Sequence, residues 1–172
     1  MSNYHRYYKK GGIYFFTVVT YKRQKLFDNG RFIEMLRKSF RAVMEKRPFV
    51  LDAIVVLPDH LHCIWQLPAG DDDYSTRWML IKKNISSALK SNKNHRGEKF
   101  VWQRRFWEHW LRDDKDWRCH MDYIHYNPVK HGYVNKPLNW KYGSFRQAVS
   151  KGLYVEHWGA SAPSSIEGLH YE

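Results

Sequence analysis

Cysteine is scarce in this chain of 172 residues: there are two, Cys63 and Cys119, far apart and outside any CxxC pair. That argues against a disulfide scaffold and a thiolate zinc site, and it fits a reducing compartment. Long apolar runs are missing too, none approaching the ~20 residues a membrane-spanning helix needs. The N-terminal MSNYHRYYKKGG is charged, but the IYFFTVVT after it is too short and β-branched for the core of a secretory signal. Acidic residues are outnumbered, 17 Asp and Glu against 29 Lys and Arg. The last twenty residues lack Lys and Arg altogether and read as a tail over 151–172, behind a single domain over 1–150. A soluble cytoplasmic protein with no membrane partner is expected.

What is present is a core and a charge. A hydrophobic fraction of 43% with 17% aromatics argues against disorder. The formal net charge of +12 points to a polyanionic partner. Eight Trp and 12 Tyr accompany it, and aromatics mixed with Arg are the side chains that stack unpaired bases.

Residues 13–20 are β-branched and aromatic, bounded by Gly11-Gly12, and read as a strand. Phe32, Leu36, Phe40 and Val43 recur at helical spacing between Gly30 and Lys46. The apolar run 49–57, the turn Pro58-Asp59 and the segment 60–67 predict a hairpin. A second helix is expected after a cap at Ser75 or Thr76, with Trp78, Ile81 and Ile85 inward. Residues 100–112 read as a fourth strand on aromatic content. A third helix runs from Asp113 to Asn127, stopped by Pro128 and Gly132, and a short one follows near 144–150. The order is βαββαβ. It predicts an α+β, ferredoxin-like (RRM-type) antiparallel sheet with helices on one face and an added C-terminal helix.

Two motifs carry chemistry. In PDHLHCIW, His60 and His62 alternate along a strand and so share one face, while Leu61, Cys63 and Trp65 take the other. Imidazoles at i and i+2 can both reach one ion. By itself such a pair has a plain structural explanation, because histidine serves many purposes on a sheet face. Sixty-three residues after His60, the stretch YIHYN lies on the third helix, where Asp116, His120, Tyr123 and Asn127 form one stripe. Trp117, Met121 and Ile124 form the apolar stripe beside it. If that helix crosses the histidine face, Tyr123 and Asn127 lie against His60 and His62.

Together, PDHLH on a strand and YIHYNPVKHGYV on a later helix resemble the HUH single-tyrosine transposases. The match is closer to their REP-associated branch, linked to repetitive extragenic palindromes, and runs from about Gly12 to Phe145. The resemblance implies metal-dependent cleavage and strand transfer on single-stranded DNA hairpins, with a short guide sequence flanking the palindrome. It implies Tyr123 as nucleophile, forming a 5′-phosphotyrosine, and His60, His62 and Asn127 as ligands of Mg²⁺ or Mn²⁺. Related insertion-sequence transposases usually have Gln where this chain has Asn127. Tyr126 is a competing nucleophile, but it lies about 60° round the helix from Tyr123. His120 and His125 are the candidates for taking the tyrosine proton. A monomer, rather than a helix-swapped dimer, is expected of this branch.

For DNA contact the candidates are Arg104, Arg105, Trp107 and Arg112 around the fourth strand, with Lys82, Lys83 and Lys90 on the second helix. Residues 77–115 hold eleven Lys and Arg against four Asp and Glu, the densest basic zone. Through Glu156, Glu167 and Glu172, the tail is expected to fold back over a basic groove as an autoinhibitor. Two other functions fit the same composition. One is an RRM-like module that binds single strands without chemistry; the other is a relaxase- or replication-type HUH nickase.

Overall fold

A computed structural model describes residues 6–89, 97 and 99–171. Strands β1 (Ile13–Val19), β2 (Val50–Val56), β3 (His60–Gln66) and β4 (Trp107–Leu111) form one sheet in the order β2-β3-β1-β4, every neighbouring pair antiparallel. Helix α1 (Gly30–Lys46) joins β1 to β2, and α2 (Tyr74–Ala88) lies between β3 and β4. Helices α3 (Asp114–Lys130) and α4 (Phe145–Ser150) follow the sheet. This is the expected α+β, βαββαβ sandwich with helical additions. No helix among the described residues is long and apolar enough to cross a membrane.

The period-two alternation of the strands splits the interior into two cores. On one side Tyr14, Phe16 and Val18 of β1 and Leu61, Cys63 and Trp65 of β3 meet Leu36 and Phe40 of α1 and Trp78 and Ile81 of α2. On the other side Phe15, Ile64, Ala53 and Val55 meet Met121, Tyr123 and Ile124 of α3. Helices α1 and α2 therefore cover one face, and α3 covers the face that carries the histidines.

Three local boundaries differ from the sequence reading. The aromatic run 100–112 is not one strand. Trp102 makes an isolated bridge to Thr20, then the chain swings outward and pairing resumes at Trp107. The ammonium of Lys82 holds that excursion by donating to the carbonyls of Gln103 (2.6 Å) and Arg104 (3.3 Å). Arg104 and Arg105 consequently lie on a loop ahead of β4, and Arg112 just past its end.

Helix α2 is capped by Asp73, whose carboxylate accepts from the Thr76 amide, and not by Ser75 or Thr76. Asp is as good a cap as Ser, and it sits one position before the first helical residue. Helix α3 also runs through Pro128 to Lys130. The proline costs one amide donor in the last turns, but its φ suits a helix. The stop comes instead from Gly132 at φ +71°, with the Gly132 amide on the Val129 carbonyl and the Tyr133 amide on that of Pro128.

Candidate active site

The histidine pair sits at the start of β3, in register with β1: His62 is opposite Thr17 and His60 opposite Val19. Both side chains are buried, 1% and 0% exposed, as deeply as the apolar neighbours between them. Each is oriented from its Nδ1 side. The Asp59 carboxylate lies 2.6 Å from His60 Nδ1, and the Thr17 hydroxyl 2.9 Å from His62 Nδ1. Burial pushes the Asp59 carboxyl upward, but its hydrogen bonds and charge contacts with His60 and Arg23 outweigh that and hold it below the ordinary range. A carboxylate at Nδ1 keeps the proton there and leaves Nε2 with its lone pair, the tautomer a metal ligand requires. The two rings lie 4.9 Å apart at 81°.

Helix α3 starts at Asp113, whose side chain accepts from the Asp116 amide, with Asp114 and Asp116 at the positive end of the dipole. Its inward face brings the predicted stripe onto the sheet. Tyr123 is 1% exposed, its ring 5.3 Å from that of His62 and 75° to it. Asn127, one turn on, is fully buried. Tyr126 projects elsewhere: a Cβ on Gly159 would lie 3.5 Å from its ring. Imidazole nitrogens and an amide oxygen are uncharged donors of a kind that can bind a divalent ion. The carboxylate behind His60 is the support such ligands ordinarily have.

Two further residues join this site that the motif reading passed over. The Lys130 ammonium donates to the Tyr123 hydroxyl at 3.3 Å and lies 4.9 Å above its ring. His131 sets its ring 5.4 Å from that of His60. Helical arithmetic held a signal for the lysine: at i+7 from Tyr123 it is two turns along the same face. The expectation that the helix ended at Asn127 hid it.

The two proton-transfer candidates separate. His125 is two residues past Tyr123, about 200° round the helix. Its Nε2 is 3.1 Å from the Ser144 hydroxyl, and its ring packs on Phe145 and Tyr154. Burial there lowers its pKa to about 3, so it is neutral and belongs to the core. His120 lies one turn before Tyr123 on the site side. Its Nδ1 donates to the Asp116 carbonyl at 2.8 Å, and its buried Nε2 has no hydrogen bond. Burial also lowers the His120 pKa, which leaves Nε2 a bare acceptor. The Asp116 carboxylate further accepts from His109 Nε2 at 2.9 Å. His109, Asp116 and His120 thus form a close cluster next to Tyr123.

The basic candidates divide too. Arg104, Arg105, Arg112 and Lys83 are exposed, Trp107 is half-buried, and Lys82 is engaged with the β4 loop. Lys90 lies outside the described residues. Another basic residue of the zone, Arg77, is consumed by structure: it is 1% exposed and bonds Asp71 and the carbonyls of Arg47, Pro48 and Asp73.

The C-terminal segment returns to the site, through an aromatic side chain and not through acidic ones. Glu156 and Glu167 are exposed, and Glu172 lies outside the described residues. Tyr154 and Ser165 each donate to the Asp122 carboxylate on α3 at 2.6 Å. This anchor carries Tyr171 over the nucleophile candidate. The Tyr171 amide donates to the Tyr123 hydroxyl at 3.4 Å, and the two rings are 5.1 Å apart.

Comparison with known proteins places the chain in a family. Residues 9–127 match the family described as "Transposase IS200 like". The chain is 48% identical to a REP-associated tyrosine transposase of Escherichia coli K12 over 98% of its own length and 97% of the relative's. It is 44% identical to a putative REP-associated tyrosine transposase of Haemophilus influenzae, over 98% and 99% of the two chains. A solved structure of a REP-associated tyrosine transposase bound to a REP hairpin superposes with a TM-score of 0.82. It is 45% identical and covers 99% of both chains.

Proposed function

Because the chain belongs to the IS200-like transposases, in their REP-associated tyrosine branch, we propose that it cuts and rejoins single-stranded DNA at palindromic hairpins through a phosphotyrosine on Tyr123. The observation that carries this reading is the placement of the Tyr123 ring against His62, with the Lys130 ammonium on its hydroxyl.

A phenol with an ordinary pKa near ~10 is a weak nucleophile at neutral pH. The Lys130 ammonium, at hydrogen-bond distance, stabilises the charge that develops on the attacking oxygen. His120, one turn earlier on the same face of α3, offers a bare imidazole nitrogen for the departing proton. Tyr123 Oη then attacks phosphorus, the P–O3′ bond breaks and the 3′-hydroxyl leaves with a proton. The 5′ phosphate stays on the tyrosine. One ester replaces another, so a second 3′-hydroxyl can reverse the step without ATP. His60, His62 and Asn127 would hold Mg²⁺ or Mn²⁺, which supplies charge to neutralise and orient the scissile phosphate. Asp59 and Thr17 keep the two imidazoles aimed.

DNA binding is assigned to Arg104, Arg105, Trp107, Arg112 and Lys83, with Lys82 and Lys90 at the edge of the same basic zone. Phosphate contacts of this kind give affinity and salt dependence. Helix α3 packs on its own chain's β2 and β3, so one chain holds a complete site and a monomer suffices. The tail, by covering Tyr123, restrains the reaction. Action in the cytoplasm on chromosomal repeats completes the proposal.

The test is incubation with a palindromic single-stranded oligonucleotide and Mn²⁺ or Mg²⁺, followed by denaturing electrophoresis. A covalent protein–DNA adduct is expected with the wild-type chain and none with Tyr123→Phe, which should still bind the hairpin. An adduct that persists in that variant refutes the nucleophile.

A further inference from the structure

Tyr171 does more than touch the nucleophile: it lies flat in an aromatic slot. Its ring is stacked on Trp107 at 4.7 Å and 24°, and on His120 at 5.0 Å and 24°. His109 completes the wall, parallel to Trp107 within 2° at 5.8 Å and to His120 within 17° at 4.8 Å. The Asp116 carboxylate is bonded to His109 Nε2 and lies 3.2 Å from His120 Nδ1, so the slot is built from two elements tied together before any ligand arrives. Phe15 sits beneath, 5.1 Å from Tyr171 and 5.9 Å from Tyr123.

Three facts indicate what the slot is for. First, Tyr123 is 1% exposed and Tyr171 lies against it through both its amide and its ring, so Tyr171 is part of what a phosphodiester must displace. Second, departure of Tyr171 strips the faces of Trp107 and His120, and wet aromatic faces are unfavourable unless the incoming ligand covers them. Third, Trp107 lies opposite Thr17, which in turn lies opposite His62. The slot is therefore two strands, about 10 Å, from the histidine pair on the same sheet face. The nearest flat group of a DNA strand held at Tyr123 is a base flanking the phosphate under attack. The exposed Arg104 and Arg105 lie three and two residues before Trp107 and suit the backbone of that same strand.

We propose that the Trp107–His120 slot is a stacking subsite for one unpaired nucleobase adjacent to the scissile phosphate, and that Tyr171 is its intramolecular stand-in. This rests on the reading of the chain as a single-strand nuclease. The subsite accepts any base by its face, which adds affinity for single-stranded flanks without reading sequence.

The experiment uses the full chain and hairpin oligonucleotides with or without eight-nucleotide single-stranded flanks. 2-Aminopurine is placed at one flank position at a time, and binding is measured with Ca²⁺ in place of the catalytic ion. Tyr171→Ala is expected to raise affinity for flanked hairpins by about fivefold to a hundredfold, the range for stacking one base. It should quench 2-aminopurine at one position and leave unflanked hairpins unchanged. Tyr171→Phe keeps the ring and should behave as wild type. Adding Trp107→Ala to Tyr171→Ala should abolish both the gain and the quenching. If Tyr171→Ala accelerates adduct formation without flank-dependent affinity or quenching, the tail is a cover only and the subsite is refuted. Equal gains for flanked and unflanked hairpins refute it as well. Loss of the adduct in Tyr123→Phe is scored separately, so failure of the slot and failure of the nuclease reading remain distinct.

Discussion

Strand β3 presents two faces that are equally buried and chemically opposite. Leu61, Cys63 and Trp65 point into a core of α1 and α2 side chains that is almost wholly apolar. His60 and His62, from alternate positions of the same strand, point under α3 among Thr17, Asp59, Tyr123 and Lys130. Burial alone therefore does not distinguish core from site. What differs is the polar support: each imidazole has its Nδ1 assigned to a specific oxygen, an arrangement that apolar packing does not need.

The sharpest way to test that contrast is to change neighbouring residues of one strand. Tyr123→Phe, at the head of the polar face, should lower adduct formation by about four orders of magnitude or more while hairpin affinity holds. His62→Ala should approach that loss in cleavage yet leave the chain folded, as judged by circular dichroism. Leu61→Ala, one residue away on the apolar face, should do the reverse. It should cost about 2–5 kcal/mol in urea unfolding, with residual cleavage per folded molecule preserved. If His62→Ala unfolds the protein as Leu61→Ala does, the two faces are one core and the site assignment weakens.

Smaller effects probe the support. Asp59→Asn should weaken divalent-ion dependence about tenfold to a hundredfold, read as the Mn²⁺ concentration for half-maximal cleavage. Imidazole donors favour Mn²⁺ over Mg²⁺, so chelated enzyme should regain activity at lower Mn²⁺ than Mg²⁺. The smallest is a pH effect from His125, a polar group on the α3 side that serves the core. Its folded pKa of about 3 lies below the ordinary 6.5 of an exposed imidazole. Between those values the unfolded chain binds a proton that the folded chain refuses. Its contribution is present above about pH 6.5 and is lost as pH falls towards 3, by at most about 1.4 kcal/mol per pH unit. Urea midpoints at pH 7.5 and pH 5 should show this loss, and His125→Gln should reduce it.

The alternation in PDHLHCIW was legible because a strand has period two whatever surrounds it, and the α3 stripe because a helix has period 3.6. The strand order followed from the βαββαβ pattern, in which short connections leave few topologies. Helix α3 runs three residues past the expected Asn127 because Pro128, tolerated in a last turn, does not stop it; of the two expected stops, Gly132 is the one that acts. The fourth strand was overextended because its aromatic content is uniform. Its interruption depends on Lys82, about twenty residues earlier, capturing two carbonyls. Lys130 and His131 stood inside the YIHYNPVKHGYV stretch, and Asp116 and His120 on the α3 stripe, but only the fold brings His109 to them.

The sequence by itself determined the sheet, the two faces of each strand and the helix that carries Tyr123, since these follow from local periodicity and capping. Tertiary structure alone decided that α3 lies across the histidine face. It also decided that Tyr171 returns from the end of the chain to fill the slot beside it. The Tyr171 contacts with Tyr123 and with Phe15 join residues 48 and 156 positions apart. Contacts over such separations are set by the packing of whole elements, which no local pattern encodes.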